Sequence, residues 1–209
     1  KTEMWHILKS EKNAKIYTGF SKPVSRDSYM NAVKNNTIGD LLNTESADPG
    51  DTFFTPAGRI HAIGAGIVLA EIQQTSDITY RIYDWGRKDK NGKSRDLHTD
   101  LALDAIDFNQ VGKSKIISEP NKNKSENLVR CKYFDTNIIQ FNEHIARDYN
   151  LIDSFVVYIC TEGRFEIRWD SGSERVSKGE TVLLPAMIND VVLVPEQEAT
   201  LLETYITDK

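Results

Sequence analysis

The sequence predicts a mainly β protein, built as two barrel-like lobes with a small helical insertion in the first. Three observations carry this expectation. Short apolar runs of strand length recur at close spacing, separated by turn residues. The block Gly50-Asp51-Thr52-Phe53-Phe54-Thr55-Pro56-Ala57 is echoed by Gly179-Glu180-Thr181-Val182-Leu183-Leu184-Pro185-Ala186, as a duplicated β module would be. The length of 209 residues suits one large β domain or two small lobes.

The elements follow in order. Residues 3–8 and 14–20 read as strands. Ser25 is an N-cap candidate for a helix whose apolar face is Tyr29, Met30 and Val33. Thr37 opens a second short helix, with Asp40 in the place of the usual capping-box Glu and Leu41 and Leu42 on its buried side. Together they form an insertion at about 25–43. Strands are expected at 50–54, 60–63, 67–73 and 79–84. Residues 99–106 read as a helix with Leu101, Ala102 and Ala105 facing inward. Residues 109–127 are polar, lysine-rich and free of aromatics, which reads as a connecting loop. Further strands are expected at 138–141, 155–160, 163–169, 174–176, 181–184, 191–194 and 200–206. The expected organisation is a first lobe at 1–108, a connection at 109–127 and a second lobe at 128–209.

Charge and composition narrow the function. A net charge of −5 argues against a broad nucleic-acid surface. No apolar run reaches the length of a transmembrane helix, and no signal peptide is visible. Cys131 and Cys160 stand alone in strand-like contexts, as buried free thiols of a reducing, cytoplasmic setting do. The chemistry concentrates at residues 50–64. Phe53 and Phe54 give strand character, and Pro56, Ala57 and Gly58 give a tight turn. His61 follows it, delivered at the start of the next strand in the fixed direction that a metal site needs. A lone histidine also serves as a plain structural residue. Glu3 also reads as the outward residue of an alternating strand, Arg81 as an exposed strand residue and Asp77 as a turn cap.

The spacing Gly50, Pro56, Gly58, His61 resembles the second half-motif of the cupin superfamily. The implied fold is two cupin (jelly-roll) barrels. Lys1-Thr2-Glu3-Met4-Trp5, Pro56 to Gly64, Glu71-Ile72-Gln73-Gln74-Thr75-Ser76-Asp77 and Thr79 to Arg87 occur in one order, and Asp96-Leu97-His98 fits the same pattern. Together they resemble type I mannose-6-phosphate isomerase in its short bacterial form. The resemblance implies a zinc-dependent aldose–ketose isomerase acting on a small sugar phosphate, mannose 6-phosphate against fructose 6-phosphate. It puts Glu3 and His61 on the metal and makes Arg81 the catalytic cation. It matches Lys1, Glu71 and Asp77 to polar, substrate-binding positions of the pocket. His6, His98 and His144 are not read as ligands. Lys1, Arg87 and Lys88 are cations available for the phosphate.

The same resemblance places two further metal ligands on a Gln-x-His-Pro motif ahead of the Lys1 segment, and no Gln-x-His occurs in this chain. The expectation is a fragment with impaired activity and zinc bound weakly or absent. Its first barrel would then bind the missing segment or self-associate, without a nucleic-acid or membrane partner. A non-catalytic sugar-binding or regulatory cupin and an iron-using cupin oxidoreductase are the alternatives.

Overall fold

The computed structural model describes residues 1–207. The chain divides into two compact units, Lys1–Ile117 and Ser118–Lys209, and both are mainly β. The first unit carries β1 (Glu3–Ser10), β2 (Lys15–Phe20), α1 (Arg26–Lys34) and a 3-10 turn at Ile38–Leu41. It continues with β3 (Leu42–Ser46), β4 (Thr52–Thr55), β5 (His61–Ile63), β6 (Ile67–Gln73), α2 (Thr99–Ala105) and β7 (Lys115–Ile116). One sheet has the order β6-β1-β4-β7 and another β3-β2-β5.

The helical insertion forms where the capping chemistry asks for it. The Ser25 side chain accepts from the Ser28 backbone N–H, satisfying one orphan donor of the first turn. Tyr29 and Ala32 are the buried residues of α1, whereas Met30 is exposed. The expected capping box at Thr37 does not form, because Thr37 makes no side-chain cap bond. Four residues close as a 3-10 turn with Ile38 as the buried one. Beneath these elements Phe20, Val24, Tyr29, Ile38 and Ile60 cluster, joined by Leu103, Ile106 and Phe108. Burial without a partner pushes the Tyr29 hydroxyl up to about 12. A second cluster, Trp5, Ile7, Ile16, Ala47 and Phe53, fills the space between the sheets.

Other expectations are corrected. Residues 79–84, expected as a strand, join no ladder. The Arg81 backbone bonds to His98 instead, and Arg95 and Arg87 both pair with the buried Asp84 carboxylate. In α2 only Ala102 is buried, while Leu101 is 56% exposed. The polar stretch 109–127 is not one loop. It contains β7, paired with β4, and the start of β8 (Lys124–Arg130), an edge strand.

The second unit continues with β9 (Asp135–Phe141), β10 (Ile145–Asp148), β11 (Val156–Trp169), β12 (Gly172–Ser177), β13 (Thr181–Leu184) and β14 (Asp190–Tyr205). These make one seven-stranded sheet with the order β12-β11-β14-β9-β8, and β10 and β13 pair with β14 and β11. The long strands β11 and β14 each absorb two runs expected separately. Their register shifts at bulges around Glu162 and Arg164 instead of ending. The apolar interior runs from Ile139 and Phe141 through Phe165 and Ile167 to Leu193 and Leu201. It also holds one charged cluster. Glu203, fully buried, accepts from Arg147 Nε at 2.7 Å and Nη2 at 2.8 Å, Asn137 Nδ2 at 2.8 Å and Tyr149 O–H at 2.5 Å.

The sequence echo is also a structural one. Gly50 and Gly179 both have φ near +90° and lead into β4 and β13. The Pro56 and Pro185 carbonyls both accept from the N–H three residues on. Past the turn the copies differ. The first has Gly58, at φ +89° with Asp107 and Ala105 packed where a Cβ would stand. The second has Met187, 86% exposed.

Candidate metal centre

The site sits where the two small sheets of the first unit face each other. Glu3 opens β1, the strand flanked by β4 and β6, opposite Thr55 on one side and Gln73 on the other. His61 opens β5 and pairs with Thr18 of β2. The Thr2 hydroxyl accepts from the Ala57 N–H at 3.3 Å, so the turn and the start of β1 are tied together. Trp5 packs edge-on against the His61 ring, with centroids 5.2 Å apart.

Glu3 Oε1 lies 2.9 Å from His61 Nε2. The Glu3 side chain is 3% exposed and that of His61 27%. His61 Nδ1 donates to the Arg59 carbonyl at 2.7 Å, which fixes the ring and leaves a lone pair on Nε2 in the neutral imidazole. Arg59 is itself anchored by its guanidinium to Gln110, Thr18 and the Gly112 carbonyl. Glu3 Oε1 is buried and receives no hydrogen bond. With the imidazole neutral, two lone pairs converge at 2.9 Å, and a proton on Nε2 or a metal cation between them satisfies both. Burial acts to raise the Glu3 carboxyl, and the His61 imidazole, Glu71 and Lys1 more than offset it, so it lies below the ordinary range. A carboxylate and an imidazole are donors that zinc accepts, and this pair fits two places of such a shell. Among the described residues no group of three or more His, Cys, Asp or Glu is gathered for a metal.

A cleft of about 350 Å³ opens on this pair. Its lining includes Lys1, Glu3, His61, Arg81, Tyr80 and Tyr83. The cleft thus brings together four of the residues singled out in the sequence: Lys1, Glu3, His61 and Arg81. Glu71 stands beside it, opposite Trp5 in the ladder and 3.9 Å from the Lys1 ammonium. Partial burial and the neighbouring Glu3 carboxylate raise the Glu71 carboxyl. Lys1 Nζ also donates to Gln73 Oε1. Asp77 is exposed and does not line the cleft, although its neighbours Ile78 and Thr79 do. Arg59, Tyr80 and Tyr83 were not singled out from the sequence. Arg59 closes the Pro56–Arg59 turn that Gly58 builds at positive φ.

No family model matches the chain. It is 31% identical over 189 residues to the mannose-6-phosphate isomerase ManA of Bacillus subtilis (strain 168), a match covering 88% of this chain and 58% of that protein. The crystal structure of the mannose 6-phosphate isomerase from Bacillus subtilis superposes with a TM-score of 0.82 at 26% identity. That match covers 98% of this chain and 64% of the other. A mannose 6-phosphate isomerase solved bound with zinc and yttrium shares the fold at a TM-score of 0.70 and 13% identity, over 99% of this chain and 66% of that one. The chain spans somewhat more than half the length of the first curated relatives it matches. By sequence and by its mainly β, cupin-type fold, the chain belongs to the mannose-6-phosphate isomerase family.

Proposed function

We propose that the cleft is the substrate site of a zinc-dependent aldose–ketose isomerase that interconverts mannose 6-phosphate and fructose 6-phosphate. The observation that carries this reading is the convergence of Glu3 Oε1 and His61 Nε2 in a cleft that also holds Arg81. The family relationship and the zinc-bound relative support it. Glu3 and His61 would hold the metal, which when bound supplies Lewis-acid polarisation of a sugar oxygen.

The chain's own residues supply the rest. Isomerisation moves a proton between C1 and C2, with negative charge developing on the carbonyl oxygen. Arg81 lines the cleft, and its guanidinium, a permanent cation, would stabilise that charge. Glu71, whose carboxyl is raised by partial burial and by the neighbouring Glu3 carboxylate, is suited to receive and return the proton. Lys1 offers the substrate a charged donor. Two donors fall short of the three protein ligands of a catalytic zinc, so this chain by itself holds zinc weakly and turns over slowly. That shortfall favours a second reading, a cupin that binds a sugar phosphate without converting it.

A coupled assay of mannose 6-phosphate conversion, with zinc supplied, tests the proposal. Turnover should fall on the order of 10²-fold or more in Glu3→Gln and in His61→Ala. Turnover that survives either substitution overturns it. Binding of mannose 6-phosphate without turnover selects the second reading.

A further inference from the structure

We propose that His98 is the positioning residue for Arg81. The proposal rests on the reading of Arg81 as the cleft cation. Arg81 lies in a stretch that no ladder holds, since residues 74–87 form neither helix nor strand. Two reciprocal hydrogen bonds take the ladder's place. The Arg81 N–H donates to His98 Nδ1 at 3.1 Å. The His98 N–H donates back to the Arg81 carbonyl at 2.7 Å. A third contact holds the guanidinium, whose Nη1 donates to the Asp96 carbonyl at 3.4 Å. Both polar groups of the Arg81 backbone are therefore committed to one residue, 17 positions later in the chain.

His98 can act as an anchor because it is itself fixed. It is the N-cap residue of α2, and its carbonyl accepts from the Ala102 N–H at 2.9 Å. Ala102 is 1% exposed. Leu103 and Ile106 pack on the apolar cluster that Ile82 and Tyr83 also join. The clasp thus connects a short irregular segment to an element seated on the core. It demands an unprotonated Nδ1, because only that form accepts a hydrogen bond. An acceptor is required at one particular atom, so a side chain of mere bulk would not replace it.

Two measurements on the 209-residue chain test this. The first is amide hydrogen exchange at Arg81 by NMR in the wild type, His98→Ala and His98→Asn. The Asn Oδ1 stands near the place of Nδ1 and keeps the acceptor. The Arg81 amide should be protected in the wild type and in His98→Asn and exchange about tenfold faster or more in His98→Ala. The second is titration with mannose 6-phosphate. The dissociation constant should rise about tenfold in His98→Ala, one hydrogen bond's worth, and stay within about twofold in His98→Asn. The double variant Arg81→Ala/His98→Ala should bind no worse than Arg81→Ala alone. Unchanged protection in His98→Ala overturns the proposal, as do losses that multiply in the double variant. A wild type that binds no mannose 6-phosphate sinks the functional reading instead, and the exchange result alone then decides the clasp.

Discussion

Replacing Arg147 by Met should cost the second unit about 3 kcal/mol of stability. The Glu203 carboxylate is wholly buried on β14. Two of its four hydrogen bonds come from Arg147, at 2.7 and 2.8 Å, and Arg147 is its salt-bridge partner. Removing one partner of a buried pair costs about 3–5 kcal/mol, because the other charge is left uncompensated. Asn137 and Tyr149 would still donate, which puts the cost at the lower end of that range. For a unit of this size the melting point should fall by roughly 12–24 °C, from about 4–8 °C per kcal/mol. Thermal melts by circular dichroism, with hydrogen exchange at the β14 amides, give the number. The control is Arg147→Met/Glu203→Gln. It removes the stranded charge and keeps an acceptor for Tyr149, so it should recover most of the loss. A cost under about 1 kcal/mol in Arg147→Met, or a double variant no more stable than the single, would show that Arg147 does not compensate a buried Glu203 charge.

Three further outcomes are expected. His6 is buried, its Nδ1 2.9 Å from the Thr52 hydroxyl, and burial lowers it from 6.5 to about 4. Between those values the unfolded chain binds the extra proton, so stability falls as pH drops through 6.5 and levels off below about 4. The loss is at most about 3 kcal/mol, and urea melts across that range in wild type and His6→Gln should show it only in the former. Burial pushes the Cys160 thiol up to about 11, while Cys131 is only half-buried. A thiol reagent at pH 8 should therefore label one cysteine in the native protein and the second only after unfolding. Gly163 has φ +74°, and a Cβ there would stand 2.1 Å from the Glu198 carbonyl oxygen. Gly163→Ala should destabilise by well over ~1 kcal/mol, and a melting point within 2 °C of wild type, about the shift for ~0.5 kcal/mol, would contradict that.

Much of the scaffold was legible because it is written in local chemistry. Ser25 caps α1 through its own hydroxyl, residues 67–73 alternate as a strand, and Pro56 and Gly58 build the turn that delivers His61. What escaped the sequence depends on distant partners. Tyr80 and Ile82 alternate like strand residues, yet the Arg81 N–H goes to His98 and no neighbouring strand accepts it. The polar strands β3 and β8 are recognisable only by what they pair with. The breaks expected near Gly163 and Pro195 are bulges, since a strand longer than its apolar run is sustained by the ladders on either side. The site shows the same division. Glu3 and His61 were identifiable by motif, but their convergence at 2.9 Å belongs to the pairing of β1 and β5 with different sheets. The Arg59 carbonyl that orients His61 has no side-chain signature at all.

The proposed metal centre is tested most directly by soaking crystals of the protein with zinc and locating the ion by its anomalous signal. A peak bonded to both Glu3 Oε1 and His61 Nε2 at ordinary zinc–ligand distances is expected, lost in Glu3→Gln and in His61→Ala. Zinc found elsewhere, or retained at the cleft in both variants, would contradict it.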